Sequence, residues 1–510
     1  MRGTRLGGWL VVSMLSTVPL VAGGNDAPLA AAVQRMDRPT VQKLLDSQAD
    51  VNAAQADGMT ALLWAAYYDD LELVDRLVRA GANVRVSNRY GITPLSLACT
   101  NGNMATIERL LEAGADPNTS LPGGETVLMT AARTGRIGAV KSLVARGADV
   151  HAKESQRGQT ALMWAAAEGH AEVVETLIEA GADFKSPLDS GFTPLLFAAR
   201  EGKLGVVRAL LKAGANVNET IQAQAPRRRA LPGGFPIKPG ATPLLLAVTN
   251  GHFELAAALL EAGADPNADA PGYTPLHAIA SVRKPGVGDN DPAPEGSGAM
   301  DSLGLVKRLA AHGADLNRRM TKRANLNNTR FSELGATPFL LAALTADAAL
   351  MKTLAELGAN PLLTNDEKST PLMAAAGLGT RSPGEDAGTE EEVLEALQVA
   401  LDLGANLNAV DDHGETAMHG AAYKNLPKAV EFLAGKGARI DVWNRKNEFG
   451  WTPLTIARGY RFGNFKPSPE TVAVVEKVLL AAGITPPTEK EEQAKGFDIY
   501  APKPPRTPPR

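Results

Sequence analysis

The sequence predicts an all-α repeat solenoid, a stack of helix-turn-helix units that each pack only on their neighbours. Two markers recur along the 510 residues: a threonine that precedes an apolar helix start, and a glycine that ends the second helix of the same unit. The threonine-to-glycine spacing is 21 residues in eight units, and the usual glycine-to-threonine spacing is 12. Their sum of 33 residues is a period found in two-helix solenoids.

The threonine marker predicts the start of each first helix, because a threonine side chain at the N-cap accepts a hydrogen bond from an unpaired backbone N–H. Seven of the threonines are followed by proline, which loses no hydrogen bond at the first helical position. The marker residues are Thr60, Thr93, Thr126, Thr160, Thr193, Thr242, Thr274, Thr337, Thr370, Thr416 and Thr452.

The glycine marker predicts the end of each second helix, because glycine adopts the left-handed conformation that closes a helix. Between the two markers, apolar residues such as Val173, Val174 and Leu177 recur at helical spacing. The marker residues are Gly81, Gly114, Gly147, Gly181, Gly214, Gly263, Gly313, Gly358, Gly404, Gly437 and Gly483.

Short motifs around these markers resemble the ankyrin repeat family. They include Thr274-Pro275-Leu276-His277, Gly169-His170 and Gly81-Ala82-Asn83-Val84. The resemblance extends over residues 27–484 and implies about twelve stacked ankyrin helix-turn-helix units joined by β-hairpin-like finger loops. It also implies that His277 and His419 bond loop backbone.

The two ends of the chain differ from the repeats in composition. Residues 1–23 combine basic Arg2 and Arg5, a short apolar stretch and small residues, which predicts a secretory signal peptide. An uncleaved anchor or a chance apolar start is the alternative. The solenoid is expected over 24–484, and residues 485–510 form a Pro-rich tail without periodicity, expected to be disordered or polyproline-like.

Insertions break the period at five places: near 218–240, 281–300, 318–335, 377–392 and 458–469. The first and third lengthen finger loops, and the others lengthen the turn between the two helices of a unit.

Two of the insertions are basic and one is acidic. Net charges are +3 for 218–240, +4 for 318–335 and −4 for 377–392. We therefore expect two separate basic fingers that dock on an acidic surface, although solvated loops without a binding role would have the same composition. The finger residues concerned are Arg227, Arg228, Arg229, Arg318, Arg319, Lys322 and Arg323.

The resemblance also implies where a partner binds, since ankyrin proteins use their fingers and the face of their first helices. The corresponding positions in this chain are rich in tyrosine and arginine, which are enriched at interface hot spots. We expect these side chains to be exposed and to bind a protein partner, the alternative being surface tyrosines without a role. They are Tyr67, Tyr68, Arg89, Tyr90, Arg133, Phe192, Arg200, Tyr273 and Tyr423.

Three other side chains are expected in the core. Trp64 and Trp164 lie four residues after a marker threonine, where other units have leucine. The single cysteine, Cys99, occupies a position that holds alanine in most units, so a buried, inert thiol is expected.

The sequence offers no sign of catalysis, metal binding or a cofactor. The seven histidines form no metal-binding cluster, and neither a His-Glu-x-x-His motif, a Gly-x-Ser-x-Gly motif nor a phosphate loop is present. Without residues 1–23 the net charge is −6, which disfavours a bulk nucleic-acid partner.

The favoured function is a protein-binding scaffold in the periplasm or outside the cell. The alternatives are an accessory or protective subunit of a specific exported enzyme and a secreted effector that binds host proteins, and an enzyme is disfavoured. The sequence does not indicate an oligomeric state.

Overall fold

The computed structural model describes residues 27–222, 239–285, 294–326, 329–461 and 466–488. The predicted signal peptide at 1–23 and the tail from residue 489 lie outside these residues, as do the central parts of several insertions. The chain divides into two compact units, Met1–Pro239 (unit 1) and Gly240–Arg510 (unit 2).

Each unit is a stack of helix pairs. The first helices of neighbouring pairs pack on one another, and so do the second helices. The described part of unit 1 contains α1 (Pro28–Gln34), α2 (Arg38–Asp46), α3 (Ala61–Tyr67), α4 (Leu71–Arg79), α5 (Pro94–Asn101), α6 (Met104–Glu112), α7 (Val127–Arg133), α8 (Ile137–Ala145), α9 (Ala161–Glu168), α10 (Ala171–Glu179), α11 (Pro194–Arg200) and α12 (Leu204–Lys212).

Unit 2 has the same internal arrangement. Its described residues contain α13 (Pro243–Thr249), α14 (Phe253–Glu261), α15 (Pro275–Arg283), α16 (Ser302–Ala311), α17 (Pro338–Leu344), α18 (Ala348–Glu356), α19 (Pro371–Ala375), α20 (Glu390–Asp402), α21 (Ala417–Tyr423), α22 (Pro427–Gly435), α23 (Ile440–Trp443), α24 (Pro453–Ala457) and α25 (Pro469–Ala481). The short α23 is an extra turn within a finger loop, and every other helix belongs to a pair.

The predicted helix boundaries are confirmed. All eleven marker threonines are N-caps of first helices. At Thr60, for example, the side-chain oxygen accepts from the backbone N–H of Leu63 at 3.3 Å. All eleven marker glycines have φ between 76° and 102°, the left-handed region that a side chain would strain.

At two caps a histidine completes the hydrogen bonding. The backbone N–H groups of Thr274 and Thr416 donate to Nδ1 of His277 and His419 at 3.2 Å. The Nε2 atoms of these rings contact the carbonyl oxygens of Arg318 and Arg445 in the following finger loops. Burial lowers the pKa of both imidazoles to about 4, so both rings are neutral at pH 7. The predicted link between these histidines and loop backbone is therefore confirmed.

Apolar side chains and an asparagine relay join successive pairs. Val173, Val174 and Leu177 of α10 are buried, as the helical spacing predicts. In the turns, Asn52 donates to the carbonyl of Gly81 at 3.1 Å and accepts from the backbone N–H of Asn83 at 2.7 Å. Asn118 and Asn267 make the same two bonds to the turns that follow them.

The finger loops are turns with little strand character. Within the described ranges, the only strand-like pairing is an isolated bridge between Ser120 and Thr126. The described helices include none that is both long enough and apolar enough to cross a membrane.

The core predictions hold for two of three side chains. Cys99 is buried, and burial raises the pKa of its thiol to about 12. Trp64 is also buried. Trp164 is only half-buried, so its assignment to the core is wrong, and its ring instead forms part of the face of the first helices.

Candidate protein-binding surface

A cluster of three aromatic rings lies at the end of α3. Trp64 contacts Tyr67 and Tyr68, with ring centroids 5.7 and 5.9 Å apart, and the two tyrosines are 5.2 Å from each other. The hydroxyl of Tyr68 donates to the carbonyl of Gln34 in the preceding pair at 2.8 Å. Both tyrosines are half-buried, so they are held in place and still present ring surface.

The next finger loop holds Arg89 and Tyr90 at its tip. Buried Asn88 shapes the loop, since its side-chain oxygen accepts from the backbone N–H groups of Tyr90 and Ile92, both at 3.0 Å. The Arg89 guanidinium lies 4.8 Å from the centroid of the Tyr90 ring. Tyr90 is 42% exposed, which is unusual among the large apolar and aromatic side chains of the described chain.

A second arginine–aromatic pair joins two neighbouring first helices. Arg133 at the end of α7 places its guanidinium 4.9 Å from the centroid of the Trp164 ring in α9. Its only close carboxylate among the described residues is Glu125, at 3.4 Å. Because the pair spans two helix pairs, it presents one combined surface rather than two separate side chains.

A third arginine lies at the end of α11. The Arg200 guanidinium is 5.1 Å from the Phe192 ring and 5.2 Å from the Phe197 ring, and it pairs with Glu201 at 2.8 Å. Phe192 itself is buried, with 1% of its surface exposed. The expectation that Phe192 is exposed is wrong, because its ring packs on Phe197 beneath the arginine.

These side chains lie on first helices of unit 1 and on one finger loop, and Tyr67, Arg133 and Arg200 each lie seven residues after a cap threonine. We call them the aromatic–arginine surface. It comprises Tyr67, Tyr68, Arg89, Tyr90, Arg133, Trp164 and Arg200.

The two tyrosines of unit 2 that were predicted to bind a partner are buried. Tyr273 and Tyr423 are 7% and 6% exposed, so the expectation that they are exposed is wrong. The hydroxyl of Tyr423 donates to Oε1 of Glu415 at 2.7 Å, and Asn447 donates to the same oxygen at 2.7 Å. Burial raises the pKa of Glu415 to about 7, which outweighs the stabilisation that these two donors give its charged form.

The insertion at 318–335 lies near both tyrosines. Burial raises the pKa of both hydroxyls, and the charge of Glu333 adds to the rise at Tyr273, whereas that of Arg330 opposes it at Tyr423. The backbone N–H of Arg330 donates to the carbonyl of Gly379 at 2.8 Å. The finger therefore reaches the helix-turn insertion at 377–392.

The base of this insertion is folded around a buried carboxylate. Glu333 is 4% exposed, and it accepts from the backbone N–H groups of Ala324, Asn325 and Leu326 at 2.6, 2.7 and 2.6 Å. This arrangement ties residues 324–326 to the end of the insertion.

The basic residues of the same insertion have acidic or carbonyl neighbours within unit 2. Arg318 pairs with Asp269 at 2.6 Å, and Arg319 pairs with Asp366 at 3.1 Å. Arg323 lies 3.9 Å from Glu367, and Lys322 donates to the carbonyl of Ala270 at 2.9 Å.

Carboxylates of the neighbouring finger loops thus flank the basic residues of 318–335, whose side chains stay about half exposed, and the docking of this finger on an acidic surface stays a prediction. The other basic residues predicted to bind, Arg227, Arg228 and Arg229, lie outside the described residues.

The acidic insertion at 377–392 is likewise held by buried or half-buried cations. Lys424, buried at the end of α21, donates to the carbonyl of Ala387, and Lys284 pairs with Glu392 at 2.8 Å. Burial lowers the pKa of Lys424 to about 8, an effect that nearby Asp386 and Glu392 oppose. The described residues contain no cluster of three or more His, Cys, Asp or Glu side chains that could bind a metal ion.

The fold and this surface define a repeat solenoid that presents side chains from first-helix ends and finger loops. Family models of ankyrin repeats in three copies match residues 29–121, 106–187 and 128–221, and an ankyrin repeat model matches residues 240–270. The chain belongs to the ankyrin repeat family. Ankyrin repeats are generally binding modules and not catalytic ones, and they support a scaffold for protein–protein interaction.

A curated relative has a short similar segment. The chain is 35% identical over 71 residues to a glycerophosphocholine phosphodiesterase of Candida albicans. This segment is 14% of the present chain and spans 6% of the length of that relative.

Proposed function

We propose that the chain is an exported, non-catalytic scaffold that binds another protein through the aromatic–arginine surface of unit 1. The observation that carries this proposal is the contrast between Tyr67 and Tyr423, which both lie seven residues after a cap threonine. Tyr67 keeps accessible surface beside Tyr68 and Tyr90, whereas Tyr423 is 6% exposed and donates its hydroxyl to Glu415.

The geometry of the surface supports a binding role. Tyrosine, tryptophan and arginine dominate interface hot spots because they combine large apolar area with polar groups. Here Tyr68 is anchored at its hydroxyl, and Arg133 is stacked on Trp164. Such side chains lose little conformational freedom when a partner binds, which favours affinity.

An extracytoplasmic location, in the periplasm or outside the cell, is the second part of the proposal. It is supported by the basic, apolar and small-residue pattern of residues 1–23. Intact-mass measurement of the native protein tests it. A mass that lacks these residues supports export, and a full-length mass in the soluble fraction contradicts it.

The binding role is tested by capture from the native envelope fraction, followed by calorimetry with the purified partner. We expect one stoichiometric complex that the variant Tyr67→Ala, Tyr68→Ala, Tyr90→Ala weakens. A captured enzyme would assign the role of accessory subunit, and captured host proteins would assign the role of effector. Turnover catalysed by the purified chain would contradict the scaffold proposal.

A further inference from the structure

Two tryptophans at the same repeat position differ in one hydrogen bond. Trp64 and Trp164 each lie four residues after an N-cap threonine, at the same place in α3 and α9. The indole N–H of Trp64 donates to Oε1 of Gln55 at 2.8 Å. The indole nitrogen of Trp164 is buried, and no acceptor for it lies within the described residues.

The sequence explains the difference. Gln55 lies five residues before its cap threonine, and the residue at that position before Thr160 is Ser155. Serine is shorter than glutamine, and the Ser155 hydroxyl already donates to the carbonyl of Gly123 at 2.8 Å. Trp164 has therefore lost the acceptor that Trp64 has, while its ring has become more exposed.

A buried donor without an acceptor is costly, typically about 1–3 kcal/mol. At the edge of a candidate interface, this cost is removed when a partner supplies the acceptor. The Arg133 guanidinium, 4.9 Å from the centre of the Trp164 ring, adds further donors and a positive charge at the same place.

We propose that Arg133 and Trp164 together bind a carboxylate side chain of the protein partner. One carboxylate oxygen accepts from the guanidinium, and the other accepts from the indole N–H, which is covered in the free chain and is uncovered as Arg133 turns towards the partner. A carboxylate fits better than a backbone carbonyl because it has two oxygens and a charge opposite to that of Arg133, and charge-assisted hydrogen bonds are the stronger ones. The inference rests on the proposed binding role of this surface and specifies what the partner presents to it.

The existing contact with Glu125 does not block this site. Glu125 lies 3.4 Å from one guanidinium nitrogen, and Arg133 and Glu125 both keep about a quarter of their side-chain surface exposed. Ion pairs with solvent access contribute little to stability. Oε1 of Glu125 also accepts from the Thr130 hydroxyl at 3.1 Å, so Glu125 keeps a partner when Arg133 turns its donor edge towards a second carboxylate.

The five tryptophans allow a direct test on the full chain by nitrogen-15 NMR of the indole N–H groups, assigned with single Trp→Phe variants. The probe is a peptide of alternating glutamate and glycine, and the control is the same peptide with glutamine in place of glutamate. We expect a saturable shift of the Trp164 resonance with the glutamate peptide only, no shift of the Trp64 resonance, and loss of the effect in Arg133→Gln. Equal shifts with both peptides, or none at Trp164, would overturn the inference.

A second measurement separates this inference from the proposed function. Trp164→Phe keeps an aromatic ring and removes the N–H, so partner affinity should fall about tenfold, as expected for the loss of one hydrogen bond to a charged acceptor. Trp443→Phe is the control, because this buried tryptophan of unit 2 also donates its indole N–H, to the carbonyl of Ala438 at 3.3 Å, and its substitution should leave affinity unchanged. If the tyrosine triple variant weakens the complex but Trp164→Phe does not, the carboxylate site is wrong and the binding surface stands. If neither variant weakens the complex, the carboxylate site and the proposed binding surface are both wrong.

Discussion

The guanidinium of Arg283 holds the carboxylate of Asp347 through two hydrogen bonds, of 2.6 and 3.1 Å. Asp347 is buried and also accepts from the backbone N–H of Leu350, so it caps α18 as well. Removing one partner of a buried ion pair leaves an uncompensated charge. We expect Asp347→Asn to lower the free energy of unfolding of unit 2 by about 3 kcal/mol or more, measured by urea denaturation.

The control for that variant is an ion pair of similar length at the surface. Lys352 and Glu395 lie 2.8 Å apart, and more than half of each side chain is exposed. Glu395→Gln should change the free energy of unfolding by less than about 1 kcal/mol. Equal effects of the two substitutions would contradict the account of the buried pair.

Three histidines should titrate in two different pH ranges. Burial alone would lower the pKa of His413, but its ring nitrogens lie 3.0 and 3.2 Å from Glu448 and Glu367, and the net effect raises the pKa above 6.5. His277 and His419 should remain neutral down to about pH 4. NMR titration of the imidazole carbons measures all three, and Glu367→Gln should lower the midpoint of His413 alone.

The two kinds of histidine contribute to stability at opposite ends of the pH scale. The raised pKa of His413 gives a contribution that is present below about pH 6.5 and is lost as the pH rises through the folded-state value. The lowered pKa values of His277 and His419 give contributions that are present above about pH 6.5 and are lost as the pH falls towards 4.

Two glycines with open surroundings should respond oppositely to alanine. Gly214 has φ of 92° and no atom within 4 Å of an added Cβ, so backbone strain alone determines the effect. Gly214→Ala should destabilise unit 1 by about 1 kcal/mol. Gly435 is the last residue of α22 and also has open space, so Gly435→Ala should stabilise unit 2 by up to about 1 kcal/mol. Thermal unfolding of each variant checks both signs.

The helix boundaries could be predicted from the sequence because they depend on local chemistry. The burial of individual side chains by residues distant in the sequence could not be predicted. A threonine cap and a left-handed glycine depend on their own few residues, so their spacing located the helices. Tyr273 and Tyr423 occupy regular contact positions, but both are buried, with Glu333 and Arg330 of the insertion at 318–335 nearby. No period in the sequence indicates the path of an insertion.

In the binding surface, the repeat pattern likewise did not predict an individual hydrogen bond. Trp64 and Trp164 look identical in the repeat pattern, yet only one has an acceptor for its indole N–H. The difference depends on Gln55 and Ser155, and comparing these two aligned positions would have revealed it from the sequence alone.

The two basic fingers should differ in their effect on association with the partner. Arg318, Arg319 and Arg323 face carboxylates within unit 2, so Ser substitutions there should change the association rate little. Changing Arg227, Arg228 and Arg229 to Ser should slow association and flatten its salt dependence, provided that these residues steer an acidic partner. Stopped-flow rates over a range of ionic strength measure both. An equal loss of association rate in the two variants would contradict this prediction, because it would mean that Arg318, Arg319 and Arg323 still attract the partner despite their ion pairs.

The affinity of the purified partner for the variant Tyr67→Ala, Tyr68→Ala, Tyr90→Ala, measured by calorimetry, tests the central claim most directly. The control variant replaces exposed apolar residues of unit 2, namely Leu362, Val410 and Leu480, with Ala. We predict that the tyrosine variant keeps its helical circular dichroism and binds about 30-fold or more weakly, corresponding to the loss of at least one hot spot of about 2 kcal/mol. The control variant should bind like the unmodified chain. Unchanged affinity in the tyrosine variant, or an equal loss in the control, would contradict the assignment of binding to the aromatic–arginine surface.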